Sequence, residues 1–123
     1  METLKVLLVD DHNDCRLIIQ LYVRDSNITL VPTSSAAEAF EKLKLFEADI
    51  ILMDIQMPDM TGHEAVLRLR RCGYRRTIIA LTAHAMTDEV QKCLDVGFDG
   101  VLTKPIRKRD LLKALQPYMM AKS

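Results

Sequence analysis

A chain of 123 residues, 49% of them hydrophobic, fits one ordinary globular domain with a real core, and the span 1–123 is expected to form a single unit. Lysine plus arginine equal aspartate plus glutamate at 17 each, so no global field draws the chain to nucleic acid or an anionic membrane, and any charge signal is local. The apolar runs are strand-sized, far short of the roughly 20 residues that span a bilayer, and the first residues lack a signal-peptide pattern, so a cytoplasmic location without membrane insertion is expected.

In chain order, "LKVLLV" from Leu4 predicts a first strand, followed by Asp10 and Asp11 and then a helix with a stripe of Leu17, Ile18, Leu21 and Tyr22. "ITLV" from Ile28 predicts a second strand that Pro32 confines to a short or edge position. "TSSAAEAF" then opens a helix capped by Ser34 or Ser35, with Ala36, Ala39, Phe40 and Leu43 facing inward. "DIILM" from Asp49 predicts a third strand ending in Asp54, and the helix after it carries Val66 and Leu69, with His63 a surface residue near its start. The basic run "RLRRCGYRR", Arg68 to Arg76, could meet an acidic partner or nucleic acid, but it also falls at a solvated loop where that helix ends and its cations offset the macrodipole, which is the preferred reading.

"TIIAL" from Thr77 gives a fourth strand ending at Thr82, and Val90, Cys93 and Leu94 mark the next helix. "GVLT" from Gly100 gives a fifth, with Lys104 and Pro105 just beyond it. "RKRD" begins a last helix striped by Leu111, Leu112, Leu115 and Tyr118, and "MMAKS" reads as a fraying end. Cys15, Cys72 and Cys93 are odd in number and form no C-x-x-C pair, which argues for buried or half-buried reduced thiols.

Five strands alternating with five helices, the strands apolar on both faces, predict a parallel sheet covered on each side. The fold class is therefore α/β: a (βα)5 flavodoxin-like three-layer sandwich with strand order 2-1-3-4-5, whose ligands sit at the carboxyl ends of the strands. That topology brings Asp10, Asp11, Asp54, Thr82 and Lys104 to one edge. Carboxylates so close repel strongly, and one lysine does not neutralise three of them, so a divalent cation is the natural remedy. Oxygen donors favour Mg²⁺, with Mn²⁺ as a substitute. A positioned carboxylate can also accept a phosphoryl group, with Lys104 and the cation stabilising its charge and Thr82 offering a hydroxyl to it.

At these residues a family resemblance enters. "LLVDDH", "LMDIQMPDMTG", "ALTAHA" and "LTKPI", in this order and spacing, resemble the receiver domain of two-component response regulators from about Lys5 to Leu115. The wording of the last three is most similar to receivers of hybrid sensor histidine kinases. The resemblance implies that Asp54 is the phosphoacceptor and that Asp10 and Asp11 hold Mg²⁺ with the backbone carbonyl of Gln56. It further implies that Thr82 is the switch hydroxyl, that Lys104 pairs with the phosphoryl group, and that the Lys104–Pro105 bond is cis. Such a domain would catalyse its own phosphorylation and dephosphorylation yet act mainly as a switch of the surface formed by the fourth helix, fifth strand and fifth helix. Its partners would be a histidine kinase or histidine phosphotransfer domain and a downstream protein target, with no direct nucleic-acid contact.

Where the family usually has an aromatic residue, this sequence has Val101, which has no ring to swing. Gln56 and His84, two residues beyond Asp54 and Thr82, stand at the mouth of the site and are expected to set phosphate lifetime; His12 and His84 read as solvated or gating side chains. Asp10 and Asp11 also admit a blander reading as helix caps. Three other functions compete. A haloacid-dehalogenase-like phosphatase wants D-x-D-x-T where this chain has "DDHND". An FMN binder needs a hydroxyl- and glycine-rich loop where two carboxylates stand. A phosphate-independent interaction receiver would not need the full set of acceptor, acid pair, threonine and lysine.

Overall fold

A computed structural model describes residues 3–84 and 86–122; Met1, Glu2, Ser123 and Ala85 of the "ALTAHA" motif lie outside the described residues. The elements run β1 (Leu4–Val9), α1 (Asn13–Val23), β2 (Ile28–Thr33), α2 (Ala36–Leu43) and β3 (Ile50–Asp54). They continue as α3 (Gly62–Arg71), β4 (Thr77–Thr82), α4 (Thr87–Val96), β5 (Gly100–Thr103) and α5 (Lys108–Lys122). Among the described residues, five parallel strands form one sheet in the order β2-β1-β3-β4-β5. This is the expected topology, and its switch point lies between β1 and β3.

Alternation along each strand divides the core into two layers. Leu7, Val9, Ile51, Met53, Ile78 and Ala80 pack with Ala36, Ala39, Ala65, Val66 and Cys93 from α2, α3 and α4. Val6, Leu8, Ile50, Leu52, Ile79 and Leu81 pack on the other face with Ile19 and Val23 of α1 and Leu111 and Leu115 of α5. Val101 is half-buried against the first of these layers, so it fills space in the core.

Four expectations need correction. The inward face of α1 is Ile19 and Val23, with Tyr22 half-buried, whereas Leu17, Ile18 and Leu21 are 51%, 44% and 57% exposed. Apolar residues occupy both sides of this helix, so spacing did not single out the buried stripe. Leu94 of α4 likewise faces out, at 42% exposure. By contrast, β2 lies at the sheet edge as Pro32 led one to expect, and it runs on through Pro32 to Thr33 because an edge strand has a side on which no partner asks for an N–H. Residues 119–122 continue α5 rather than fraying, Met119 packing on the second core layer. Among the thiols, Cys93 is buried and Cys15 half-buried, but Cys72 is exposed.

Ser35 is the cap of α2: its Oγ accepts from Glu38 N at 3.1 Å, while Glu38 reaches back to Ser34 N at 2.7 Å, a reciprocal pair that satisfies two helix-terminal donors. Within the basic run, Arg70 has a structural task. It donates to Gly97 O from Nε and Nη2 (3.1 and 2.9 Å), and to Tyr74 O and Arg76 O from Nη1 (2.9 and 2.8 Å), and it pairs with Asp99 at 2.8 Å. It thereby ties the end of α3 to the turn before β5. Arg70→Ala leaves partly buried carbonyls without donors and is expected to cost about 1–3 kcal/mol in denaturant unfolding, whereas exposed Arg68→Ala should stay within about 0.5 kcal/mol. Equal, small effects of the two changes would remove this role.

Candidate functional site

Parallel strands end together, so the residues at the carboxyl ends of β1, β3, β4 and β5 meet. Asp10, Asp54 and Thr82 are buried there, at 0%, 4% and 5% exposure, and Lys104 follows β5 with its N–H on Thr82 O at 2.7 Å. Lys104 Nζ stands 2.9 Å from Asp10 Oδ2 and 3.1 Å from Asp54 Oδ2. Asp54 Oδ1 accepts the Gln56 N–H at 3.1 Å. The Lys104–Pro105 bond is cis, as the resemblance implies. An open cavity of about 720 Å³ stands over the acceptor, lined among others by His12, Asp54, Gln56, Thr82, His84 and Lys104.

Thr82 does not yet face a ligand with its hydroxyl: Oγ1 donates to His84 O at 3.2 Å and accepts His84 N at 3.1 Å. The first helix is capped by neither aspartate. His12 is its N-cap residue, and the His12 side chain makes no capping bond.

Burial works against charge on Asp10, but hydrogen bonds from the Cys15 thiol and the His12 N–H, together with the Lys104 ammonium, outweigh it and hold this carboxyl below its usual range. At Asp54 burial prevails and the Asp10 charge adds to it, while Gln56 and Lys104 offset only part, so this carboxyl is pushed above its usual range. Burial tends to lower Lys104, yet the two aspartates more than compensate and keep it a firm cation. The Cys15 thiol is pushed up to about 12 by burial first and then by Asp10, so it stays protonated and is no nucleophile.

Asp10 Oδ2 is a buried oxygen without a hydrogen-bond partner; the nearby ammonium forms an ion pair with it but is not aligned to donate. Donor atoms of Asp10, Asp11, His12 and Asp54 lie within 4.8 Å of one another. An orphaned buried oxygen facing a cluster of carboxylates fits a small hard divalent cation, so the residues present suit Mg²⁺.

Sequence reasoning reached Asp10, Asp11, Asp54, Gln56, Thr82, His84 and Lys104, and the structure brings them to one site. It missed three supporting residues. The Cys15 thiol meets Asp10, and Arg16 Nη1 donates to Asp10 O at 2.7 Å, contacts with no sequence signal beyond position on the first helix. Gly62 sits where a Cβ would stand 2.6 Å from Asp54 O, and the "DMTG" wording was its only sign. His63 is half-buried rather than on the surface: it meets the Phe98 ring edge-on at 6.1 Å and joins Glu89 and Cys93 across the α3–α4 seam. Burial and Glu89 raise the Cys93 thiol, so it stays protonated in that cluster.

Comparison with known proteins agrees with this geometry. A family profile described as "Response regulator receiver domain" matches residues 6–116. The sensor protein GacS of Pseudomonas syringae is 35% identical over 116 residues, which cover 90% of this chain and 13% of that protein. The chain spans 7 to 13% of the length of the histidine kinases it matches. The solved chemotaxis response regulator CheY4 of Vibrio cholerae superposes with a TM-score of 0.87 at 32% identity, covering 94% of this chain and 98% of that one. The receiver domain of Saccharomyces cerevisiae Ssk1, solved with the histidine phosphotransfer protein Ypd1, superposes at 0.88 with 26% identity over 98% of this chain and 92% of that chain.

Proposed function

We propose a phosphorelay role on one premise: the chain belongs to the response regulator receiver domain family. The span 1–123 acts as one receiver unit, working in the cytoplasm, that takes a phosphoryl group on Asp54 and changes its affinity for a downstream protein. The observation that carries this reading is the buried Asp54 carboxylate at the end of β3, with Oδ2 3.1 Å from Lys104 Nζ and an open cavity in front of it.

Asp54 attacks the phosphorus of a phosphohistidine in line: an O–P bond forms as the N–P bond breaks, and the electron pair stays on the departing imidazole nitrogen. Lys104 turns from carboxylate to the transferred oxygens and offsets their charge. A divalent cation held by Asp10, Asp11, Asp54 and the Gln56 carbonyl would supply the rest of that neutralisation. Thr82 then gives up its turn around His84 and donates to a phosphoryl oxygen, and that pull repacks the face of α4, β5 and α5. Gln56 and His84 line the cavity from which water reaches the acyl phosphate, and they set its lifetime.

The donor is a histidine kinase or a histidine phosphotransfer domain, the kind of partner on which the Ssk1 receiver was solved. Its docking surface is the outward face of α1. Leu17, Ile18 and Leu21 are exposed there, Ile18, Pro105 and Ile106 line the cavity, and Arg107, Lys108 and Arg109 are exposed alongside. Leu21→Glu is expected to slow transfer from a phosphorylated histidine phosphotransfer protein about tenfold, as loss of an interface anchor does, and to leave uptake from acetyl phosphate unchanged. Equal slowing with both donors would place the defect inside the site instead.

The reading itself is tested by incubating the chain with acetyl phosphate and recording its intact mass. Gain of one phosphoryl group with Mg²⁺, and none in chelator, is the expected result. No gain with Mg²⁺ and an intact fold would favour a phosphate-independent receiver, and turnover of a phosphate ester would favour a phosphatase.

A further inference from the structure

We propose that His12 is a direct nitrogen ligand of the divalent cation and tilts this receiver toward Mn²⁺ and the later divalent transition metals over Mg²⁺. This rests on the reading of the acid cluster as a metal site and deepens it. The ring Nδ1 stands 3.0 Å from Asp10 Oδ1, 3.2 Å from Asp11 Oδ1 and 3.5 Å from Asp54 Oδ2. An octahedral cation with donors at about 2.1 Å sets neighbouring donor atoms about 3.0 Å apart. Two of the three separations already match that edge, and the third has to close by about 0.5 Å.

The same Nδ1 also stands 3.4 Å from the Lys104 ammonium, so one ring nitrogen faces all the charged groups of the site. A cation among these atoms gives the lone pair and all three carboxylates a common partner, the ring proton resting on Nε2. His12 is the N-cap residue of α1, yet its ring makes no capping bond, and its backbone N–H on Asp10 Oδ1 at 2.9 Å holds the loop so that the ring stays beside the acids. Imidazole is a better ligand for transition metals than for Mg²⁺, which prefers oxygen and water.

The test is Mn²⁺ and Mg²⁺ binding to the parent chain, His12→Gln and His84→Ala at about pH 8, where a free imidazole is neutral. Electron spin-echo modulation of bound Mn²⁺ reads the ligand atoms directly. The expected result is a directly bound nitrogen-14 signature in the parent and in His84→Ala, and its absence in His12→Gln. Mn²⁺ affinity should fall about 10- to 100-fold in His12→Gln, at least the loss seen when an outer-shell partner of a metal ligand is removed, while Mg²⁺ affinity holds within a few-fold. Bound Mn²⁺ without the nitrogen signature, or equal loss of both metals in His12→Gln, would overturn the ligand role and leave the acid site standing. Failure of the parent chain to bind either metal would overturn both.

Discussion

Asp54→Asn is expected to melt several degrees above the parent chain in chelator, while taking up no phosphoryl group from any donor. Loss of uptake follows from removing the attacking oxygen. The rise in stability follows from electrostatics: burial and the charge on Asp10 push the Asp54 carboxyl above its usual value, so its ionised form weighs against the folded state. A neutral amide of the same shape removes that penalty, and for a chain of this size each kcal/mol moves the melting temperature by about 3–6 °C.

The sign depends on pH. A carboxyl raised on folding takes up protons between its unfolded value, near 3.8, and its raised folded value, so the parent recovers stability as pH falls through that window. The advantage of Asn should therefore be full at neutral pH and shrink on acidification. Asp10, held low, acts oppositely: its contribution is present above 3.8 and fades as pH falls through its lowered folded value, in parent and variant alike. Mg²⁺ should reverse the order at neutral pH. A cation at 100 times its dissociation constant stabilises the parent by about 2.7 kcal/mol and stabilises a site short of one carboxylate by less. Thermal melts in chelator and in Mg²⁺ at several pH values check this; an Asn variant less stable than the parent in chelator at neutral pH would show that Lys104 pairing dominates.

Gly62→Ala is expected to damage fold and site together. An added methyl would stand 2.6 Å from Asp54 O and 2.8 Å from Ile55 Cα, both backbone atoms, so no side chain can swing away. The glycine is needed for space: positive φ among the described residues belongs to Gly73 and Gly97. Its N–H donates to Ile55 O at 2.6 Å, which draws the start of α3 onto the end of β3. Overpacking of this kind costs about 1–3 kcal/mol, and two immovable neighbours put it toward the upper end. Displacing the backbone of Asp54 also displaces the attacking carboxylate, and an error of about 1 Å can cost on the order of 100-fold in rate. Denaturant unfolding and the rate of uptake from acetyl phosphate should both fall. Gly100→Ala, which meets nothing within 4 Å, should stay within about 0.5 kcal/mol of the parent. Parent-like behaviour of Gly62→Ala would mean that the helix start moves freely without consequence for Asp54.

Much of this molecule is legible along the chain because its determinants are local. Doubly apolar strands such as "IILM" have to be buried on both faces, helices must then cover both, and the five units select the sheet order. A parallel sheet ends all its strands on one edge, so Asp10, Asp54, Thr82 and Lys104 were bound to meet whatever the side-chain detail. Three-dimensional packing decided what spacing leaves open. With apolar residues on both sides of α1, only the position of α5 and the sheet determined that Ile19 and Val23 turn inward and that Leu17 and Leu21 are left exposed. The reach of Arg70 to Gly97, the approach of Gly62 to Asp54 and the placing of the His12 ring among three carboxylates are contacts between segments distant in sequence or held by a folded loop. Their energies depend on distances of a few ångströms, and those distances exist only once the chain has closed on itself.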